Sequence, residues 1–573
     1  MISRRTRGET HNPCCRLIIT GRASPMGRRQ PVVGAGRPAS PCTGWNTAAM
    51  IEDARSVGSG ELIATDICVV GAGIAGIALA LQLAAAGRTV VLLEGGGARR
   101  SAFSDSLYRC KVEGVIDDYG FSRSRYLGGS SNCWTGWCQP ISRADMAVRD
   151  WVPNSGWPIA YEEIVRYARG AANLLEVAPD MTLESCLENA PPGTAPLPLA
   201  PEIFRPTLSL ISPPTRFGLI YRDALRRAET LRLLLHATAT ELVPASGPLA
   251  DPRRIDHAVV RTPSGSVFRI QARQFVLAAG GIENPRLLLA SKGHGPAGLG
   301  NAHDLVGRYF MDHARVRSGT LVLEDPDRFS RLYDGSYFRA HAEFGLSVTL
   351  AEAYAARQKL LPSQIGLRAV FRGEDTVRAV RIRDAFRLGP ANAKARAAIA
   401  ADPFRTAGSV FPNALAYGFR KASLRRLIRH FVMESVVEPE PDPENRVTLD
   451  DEHDDFGMPR AKVRWSVGVL ERRSLNHAFV LLKDEVERRG LGRATLDLPE
   501  DHVILSTSHH MGSTRMDPDP TRGVVDTDGA VHGIPNLFVT GSSVFPTGLV
   551  GPPTMTICML ALRLADRLAT TRA

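Results

Sequence analysis

Residues 66–94 read DICVVGAGIAGIALALQLAAAGRTVVLLE. A β-rich apolar run leads into a glycine turn, an Ala/Leu-rich helix and a second apolar run ending in an acid, which is the dinucleotide fingerprint in its structural context. Gly71 permits the tight turn, Gly73 lets the backbone approach a pyrophosphate, and Gly76 lets the helix pack against the strand. The helix start offers free N–H groups to phosphate. Glu94, closing the second strand, is placed to accept hydrogen bonds from both ribose hydroxyls.

Two later stretches return to the same crevice. Residues 273–290, RQFVLAAGGIENPRLLLA, form an apolar strand running into Ala278-Ala279-Gly280-Gly281, then a helix expected to open at Asn284-Pro285. A strand that feeds glycines to the crevice in this way points to FAD rather than NAD. Residues 537–570 give a third element, with Gly541 after the strand and a long amphipathic helix from about Thr554. The chain is therefore expected to start and end in one cofactor domain.

Composition limits the alternatives. The net charge over 573 residues is +11, but residues 1–49 hold eight arginines against the single acid Glu9. The rest is close to neutral, so nucleic acid is not an expected partner. That tail lacks helical or strand periodicity and is expected to be disordered, out to about residue 60. Arg4-Arg5 resembles a twin-arginine signal, yet the apolar run behind it, Leu17-Ile18-Ile19, is far too short. Met50 opens a normal-looking chain start, MIEDARS, so residues 1–49 are read as dispensable. The nine cysteines show neither disulfide spacing nor a zinc pattern, so no metal is expected and a reducing, cytoplasmic location is, with export left open. Nowhere do 18 consecutive apolar residues occur, so no transmembrane helix is expected.

From about Asp66 to Leu568 the sequence resembles the glucose-methanol-choline (GMC) family of FAD-dependent oxidoreductases, most nearly its bacterial sugar-dehydrogenase and pyranose-oxidase-like branch. The carriers are VVGAGIAG, YLGGSSNCWTGWCQP at 126–140, DWVPNSGWPIAYEE at 150–163, AAGGIENPRLLL at 278–289, GRYFMDH at 307–313, NRVTL at 445–449, HHMGSTRM at 509–516 and NLFVTGSSVFPT at 536–547. The resemblance implies an α/β fold with an α+β second domain. A Rossmann-like FAD domain would come from the discontinuous segments 61–150, 215–320 and 500–573. A substrate or cap domain from 151–214 and 321–499 would set a sheet against the flavin. The implied reaction oxidises an alcohol CH–OH of a sugar, glycoside or other polyol by hydride transfer to flavin N5. The electron acceptor, an oxygen molecule, a quinone or a protein, is left open.

Such chemistry needs a base beside the flavin, and neutral imidazole suits it near pH 7. His509 matches the family's catalytic histidine in H-x-x-G-x-x-x-M, with His510 the fallback. The resemblance also implies cofactor contacts from Ile74, Ala75, Gly95, Ser130, Asn132, Cys133, Ala239, Gly280, Gly541 and Ser542, beside Gly71, Gly73, Gly76 and Glu94. Pro553 and Thr554 are expected to bring backbone N–H groups to the flavin pyrimidine. Two departures stand out. The family's second catalytic Asn or His is replaced by Pro552, which has no side-chain hydrogen-bonding group. That loss raises two alternatives: a redox-neutral flavin-bound lyase, or a cofactor-binding protein with little turnover. Cys133 stands where relatives carry a flavin-linking His, and is read as a small buried thiol before a covalent flavin attachment.

Residues 368–429 are basic, ending in FRKASLRRLIRH, and 434–455 are acidic. A basic helix at 419–430 paired with the acidic segment is the expectation, ahead of docking to a membrane surface or an acidic protein. Trp134, Trp137, Trp151 and Trp157 either pack in the core or stack on a sugar ring.

Overall fold

The strand, turn and helix of residues 66–94 form as Leu62–Val70, Ile74–Ala85 and Val90–Glu94 in the computed structural model. It describes residues 51–114, 122–190, 192–213, 215–247, 251, 253–293, 295–334, 344–374, 396, 397, 399–422, 424–497 and 504–570. Val90–Glu94 is buried along its whole length, as a parallel strand covered on both faces must be. It sits in a sheet with spatial order Ile51–Asp53, Leu231–Leu235, Val90–Glu94, Leu62–Val70, Val267–Leu277, Ile255–Arg261, Thr238–Pro244. The first five strands run parallel. The C-terminal end of Val267–Leu277 takes Leu537–Val539 as a parallel neighbour, so a strand from near the C-terminus joins the sheet through the strand that also pairs with Leu62–Val70. Helix Thr554–Thr570 packs on helix Ile74–Ala85, and Arg88 donates to the Ala569 carbonyl at 2.9 Å.

Close approach decides the glycines of the first turn. Gly71 has φ +105°, and a Cβ there would lie 2.8 Å from the Ala278 carbonyl oxygen. At Gly76 a Cβ would lie 1.9 Å from the Gly71 oxygen. Gly76 thus seats the helix on the turn itself.

Helix Gly280–Ala290 starts one turn earlier than the sequence suggests, leaving Pro285 inside it. Proline cannot serve the carbonyl four residues back. That carbonyl, of Gly281, instead accepts Ser513 Oγ at 2.5 Å. Asn284 Oδ1 accepts the Ala279 N–H at 2.8 Å, tying the early start in place.

A second, wholly antiparallel sheet has the order Gly492–Leu496, Ala314–Leu323, Ile428–Val437, Ser363–Phe371, Phe344–Leu350, Phe204–Ile211, Trp137–Cys138, with Leu505–Ser506 also paired to Ala314–Leu323. It draws Trp137–Cys138, part of Ala314–Leu323 and Leu505–Ser506 from segments assigned to the cofactor domain, because these strands carry the chain between the two sheets. A third sheet joins Arg446–His453, Pro459–Trp465 and Cys110–Gly114.

Two expectations are corrected. Residues 51–60 are not disordered: Ile51–Asp53 pairs with Leu231–Leu235, and Glu52 takes a bidentate ion pair from Arg232 at 2.7 and 2.8 Å. A three-residue edge strand is too short to show periodicity. Residues 1–50 lie outside the described residues. Nor is 419–430 one helix. The helix Pro403–Lys421 ends there, Arg425–Leu427 is a single 3₁₀ turn, and Ile428 starts a sheet strand. Among the described residues one ion pair, Arg368–Glu434, joins the basic and acidic blocks. The acids otherwise reach elsewhere, Glu438 to Arg149, Asp454 to Arg286 and Glu444 to Arg308, while Arg425 is buried on Asp334 at 2.9 Å.

Candidate active site

Between the two sheets lies a cavity of about 1050 Å³. That is above the roughly 300–1,000 Å³ of a single small-ligand site and suits a dinucleotide plus a substrate. The first turns of helices Ile74–Ala85, Gly280–Ala290 and Thr554–Thr570 all open on it. Gly73 caps the first of these with no side chain, so the N–H groups of that turn are left for a ligand anion. Around it the wall takes Gly71, Gly73, Ile74, Ala75, Glu94, Gly95, Ser130, Cys133, Ala239, Gly280, Gly541, Ser542, Pro552, Pro553 and Thr554. Gly76 and Asn132 lie off the wall. Gly76 supports the turn, and Asn132 Nδ2 braces its loop through the carbonyls of Leu127 and Gly129 at 3.0 and 2.9 Å.

Glu94 is 5% exposed. Its Oε1 accepts the Gly96 N–H at 2.8 Å and its Oε2 the Ala72 N–H at 3.3 Å, so it ties the glycine turn to the strand end. Each oxygen keeps a lone pair for a ribose hydroxyl. Burial raises its pKa. Opposite, Arg123, Arg125 and Arg286 surround Glu283, with Arg123 at 3.0 Å and Arg286 at 3.1 Å. Burial opposes the charge on Glu283, yet Arg286, Arg123 and Arg125 outweigh it and hold its carboxyl below the usual range.

Both histidines of the HHMGSTRM motif face the cavity. Strand Leu505–Ser506 pairs with Ala314 and Arg315, then breaks into a turn in which Ser508 has φ +68°. Asp312 holds that turn: its Oδ1 accepts the His509 N–H at 2.9 Å and Thr507 Oγ1 at 3.1 Å, and its Oδ2 accepts Ser506 Oγ at 2.5 Å. His510 lies over Phe310, ring centroids 5.8 Å apart. Gly281 makes room for it, since a Cβ there would come within 2.5 Å of the His510 carbonyl oxygen.

His509 Nδ1 lies 2.8 Å from Nδ1 of His313, whose Nε2 contacts the Leu549 carbonyl. A carbonyl only accepts, so His313 carries its proton on Nε2 and a lone pair on Nδ1. His509 must then donate from Nδ1, leaving its Nε2 unprotonated. Burial pushes His313 down to about 4 and His510 down to about 3. His509 is driven well below its ordinary value by burial first, then by His313, His510 and Arg315. All three imidazoles are therefore neutral at pH 7.

His313 and Asp312 stand in the sequence only as the end of GRYFMDH, with no role assigned to either. The signal is there nonetheless, as two polar residues closing a motif before an apolar strand. Pro553 is corrected in one respect: it has no N–H, accepts from Ile557 at 2.9 Å, and leaves Thr554 and the next residues of the turn as the donors. Cys133 is exposed into the cavity rather than buried, because the short 3₁₀ turn Gly129–Asn132 ends on it; burial by the cavity walls still raises its pKa. Trp134 and Trp137 line the cavity, whereas Trp157 packs on Phe545 at 5.0 Å and Trp151 donates to the Leu360 carbonyl.

The residues of this cavity fit FAD: a bare helix start for pyrophosphate, an acid for ribose and a further helix start at Thr554. Residues 66–108 match the model of an FAD binding domain, and residues 441–561 match that of GMC oxidoreductase. The chain is 26% identical to the fructose dehydrogenase large subunit of Gluconobacter japonicus, over 53% of this chain and 48% of that one. It is 29% identical to 2-methyl-1,2-propanediol dehydrogenase of Mycolicibacterium austroafricanum, over 58% and 53%. The chain thus aligns over about half the length of the curated relatives it matches. In structure it resembles pyridoxine 4-oxidase from Mesorbium loti, with a TM-score of 0.51 and 16% identity, over 89% of this chain and 100% of the other. No described helix is long and apolar enough to cross a membrane. Residues 441–561 thus resemble the GMC oxidoreductases, and FAD is the cofactor that the matched binding domain and the cavity residues fit.

Proposed function

We propose that the protein oxidises a CH–OH group of a sugar, glycoside or other polyol, with His509 Nε2 as the base. The observation that carries this reading is the His313–His509 contact at 2.8 Å, which fixes the tautomer of a neutral imidazole on the cavity wall. FAD bound here would supply a two-electron acceptor for the hydride of the carbinol carbon. Gly71, Gly73 and the start of helix Ile74–Ala85 would hold its pyrophosphate, Glu94 its ribose, and Thr554 with the next residues its pyrimidine edge. His509 takes the hydroxyl proton at Nε2 as the carbon–oxygen bond becomes a carbonyl, and its new charge is shared through Nδ1 with His313. Asp312 keeps the imidazole from turning away by holding the His509 N–H. Pro552 contributes no donor, so the substrate oxygen relies on the base and on other wall groups.

The relatives named above are dehydrogenases, which supports oxidation and lends nothing to a lyase. The division into cofactor segments 61–150, 215–320 and 500–573 and substrate segments 151–214 and 321–499 is part of the proposal. So are a cytoplasmic location and a separate electron-accepting protein or quinone, which cell fractionation with acceptor assays would test. The test of the reaction is anaerobic mixing of the FAD-loaded protein with a sugar and polyol panel. Bleaching of the oxidised flavin band with carbonyl formation supports it. Product formed while the flavin stays oxidised would favour the lyase, and no response across the panel would leave a cofactor-binding protein.

A further inference from the structure

Five arginines line the cavity: Arg123, Arg125, Arg286, Arg315 and Arg368. Four have carboxylate partners. Arg123, Arg125 and Arg286 share Glu283, and Arg368 lies 3.3 Å from Glu434. Arg315 alone has none among the described residues, and its Nε is sealed from solvent without a hydrogen-bond partner. Glu434, on the paired strand, is already engaged, since it also accepts Arg317 Nε at 2.7 Å.

Register locates this cation. Arg315 stands opposite Val436, which stands opposite Gln364, so Arg315 and the cavity-lining Gln364 share the sheet face turned to the cavity. On its other side Arg315 pairs with Leu505, four residues before His509. It follows His313 by two residues and is close enough to His509 to lower its basicity. The unpaired charge therefore sits beside the reacting end, on the sheet opposite the pyrophosphate-binding helix start.

An uncompensated guanidinium is costly once a ligand displaces the water around it. Its planar fork matches a carboxylate. We propose that Arg315 recognises a carboxylate on the substrate, making hydroxy acids and sugar acids the preferred class rather than neutral sugars. This rests on the proposed oxidation of CH–OH at His509. The anion supplied by the substrate offsets the Arg315 charge, the last and smallest of the influences that lower the basicity of His509 after burial, His313 and His510.

The test compares matched pairs, glucuronate with glucose, galacturonate with galactose and glycerate with glycerol, on the FAD-loaded protein. Rates of anaerobic flavin reduction give kcat/KM. Calorimetry on the His509→Ala holoprotein gives binding without turnover. The acids should be preferred roughly 10- to 100-fold, in rate and in binding. Arg315→Gln should lower the acid member far more than its neutral partner and erase the binding difference, while Arg315→Lys keeps part of it. Flavin content and Tm identify any variant that fails to fold, and the wild-type preference tests the proposal without a variant. Equal binding and equal rates for acid and neutral partners, or a loss in Arg315→Gln shared alike by both, would overturn it; the shared loss would mean that Arg315 serves the alkoxide common to all substrates. If no compound reduces the flavin, the oxidation reading fails, and the binding comparison still decides the role of Arg315.

Discussion

Replacing His313 separates the tautomer argument from general damage to the site. The ring is 1% exposed and makes two contacts, Nδ1 to His509 at 2.8 Å and Nε2 to the Leu549 carbonyl. Asparagine places Oδ1 near the ring's Nδ1 position and keeps an acceptor for His509. Glutamine reaches the Nε2 position and keeps the donor to Leu549, but leaves His509 Nδ1–H without its acceptor. A neutral hydrogen bond is worth about 1 kcal/mol net, which is roughly fivefold in the population of the competent tautomer. Loss of orientation multiplies this, since a misplaced catalytic group costs up to about 10²-fold. His313→Ala and His313→Gln should therefore slow anaerobic flavin reduction by about 10²- to 10³-fold, and His313→Asn by about tenfold or less. Flavin content and Tm report whether each variant folds. Asn performing no better than Gln, or Ala reducing its flavin at the wild-type rate, would rule out a tautomer-fixing role for His313.

Other consequences can be checked separately. Gly76→Ala drives a Cβ within 1.9 Å of the Gly71 oxygen, so it should abolish FAD retention during gel filtration, whereas Ala at the open, cavity-lining Gly280 position is strained only by its φ of +89°. Stability should fall as pH drops. His313 and His510 stay neutral in the native state down to about 4 and about 3, while in the unfolded chain they protonate from 6.5 downward. The unfolded state then binds more protons, so stability is lost between pH 6.5 and about 4 for His313, at up to about 1.4 kcal/mol per pH unit. Denaturant melts of the wild type and His313→Asn should show the variant with the shallower pH slope; parallel curves would contradict it. Asp312→Ala removes three hydrogen bonds from the His509 turn and should slow flavin reduction about 10- to 100-fold with FAD still bound, read by stopped flow. Cys133 faces the cavity, and acid precipitation decides its role: yellow protein marks a covalent flavin, a yellow supernatant a free thiol.

Much of the cofactor side is legible in the sequence because backbone geometry demands particular residues there. In strand–turn–helix–strand order, Gly71, Gly76 and the apolar run Val90–Leu93 suit a phosphate-binding turn and little else. The start of helix Gly280–Ala290 is harder to read, because Pro285 ordinarily marks a helix start and its compensation, Ser513, lies far along the chain. Charge alone misleads in the basic stretch after Phe419, where Arg425 is buried on Asp334 and Ile428 begins a strand. His509 is visible through its motif. Its partner is not, because the His313 contact spans 196 residues and only the pairing of Ala314–Leu323 with Leu505–Ser506 creates it. Arg315 is invisible for the opposite reason, since what distinguishes it is the absence, among the described residues, of a carboxylate partner such as the other cavity arginines have.

In the proposed reaction His509 Nε2 removes the hydroxyl proton, and FAD would accept the hydride. The most direct measurement is the anaerobic rate of flavin reduction by a reactive polyol or sugar acid in the wild type and in His509→Ala, at equal FAD content. The wild type should bleach, and the variant should do so about 10²- to 10⁴-fold more slowly. Bleaching at the same rate in both, or carbonyl-free product with the flavin still oxidised, would contradict it.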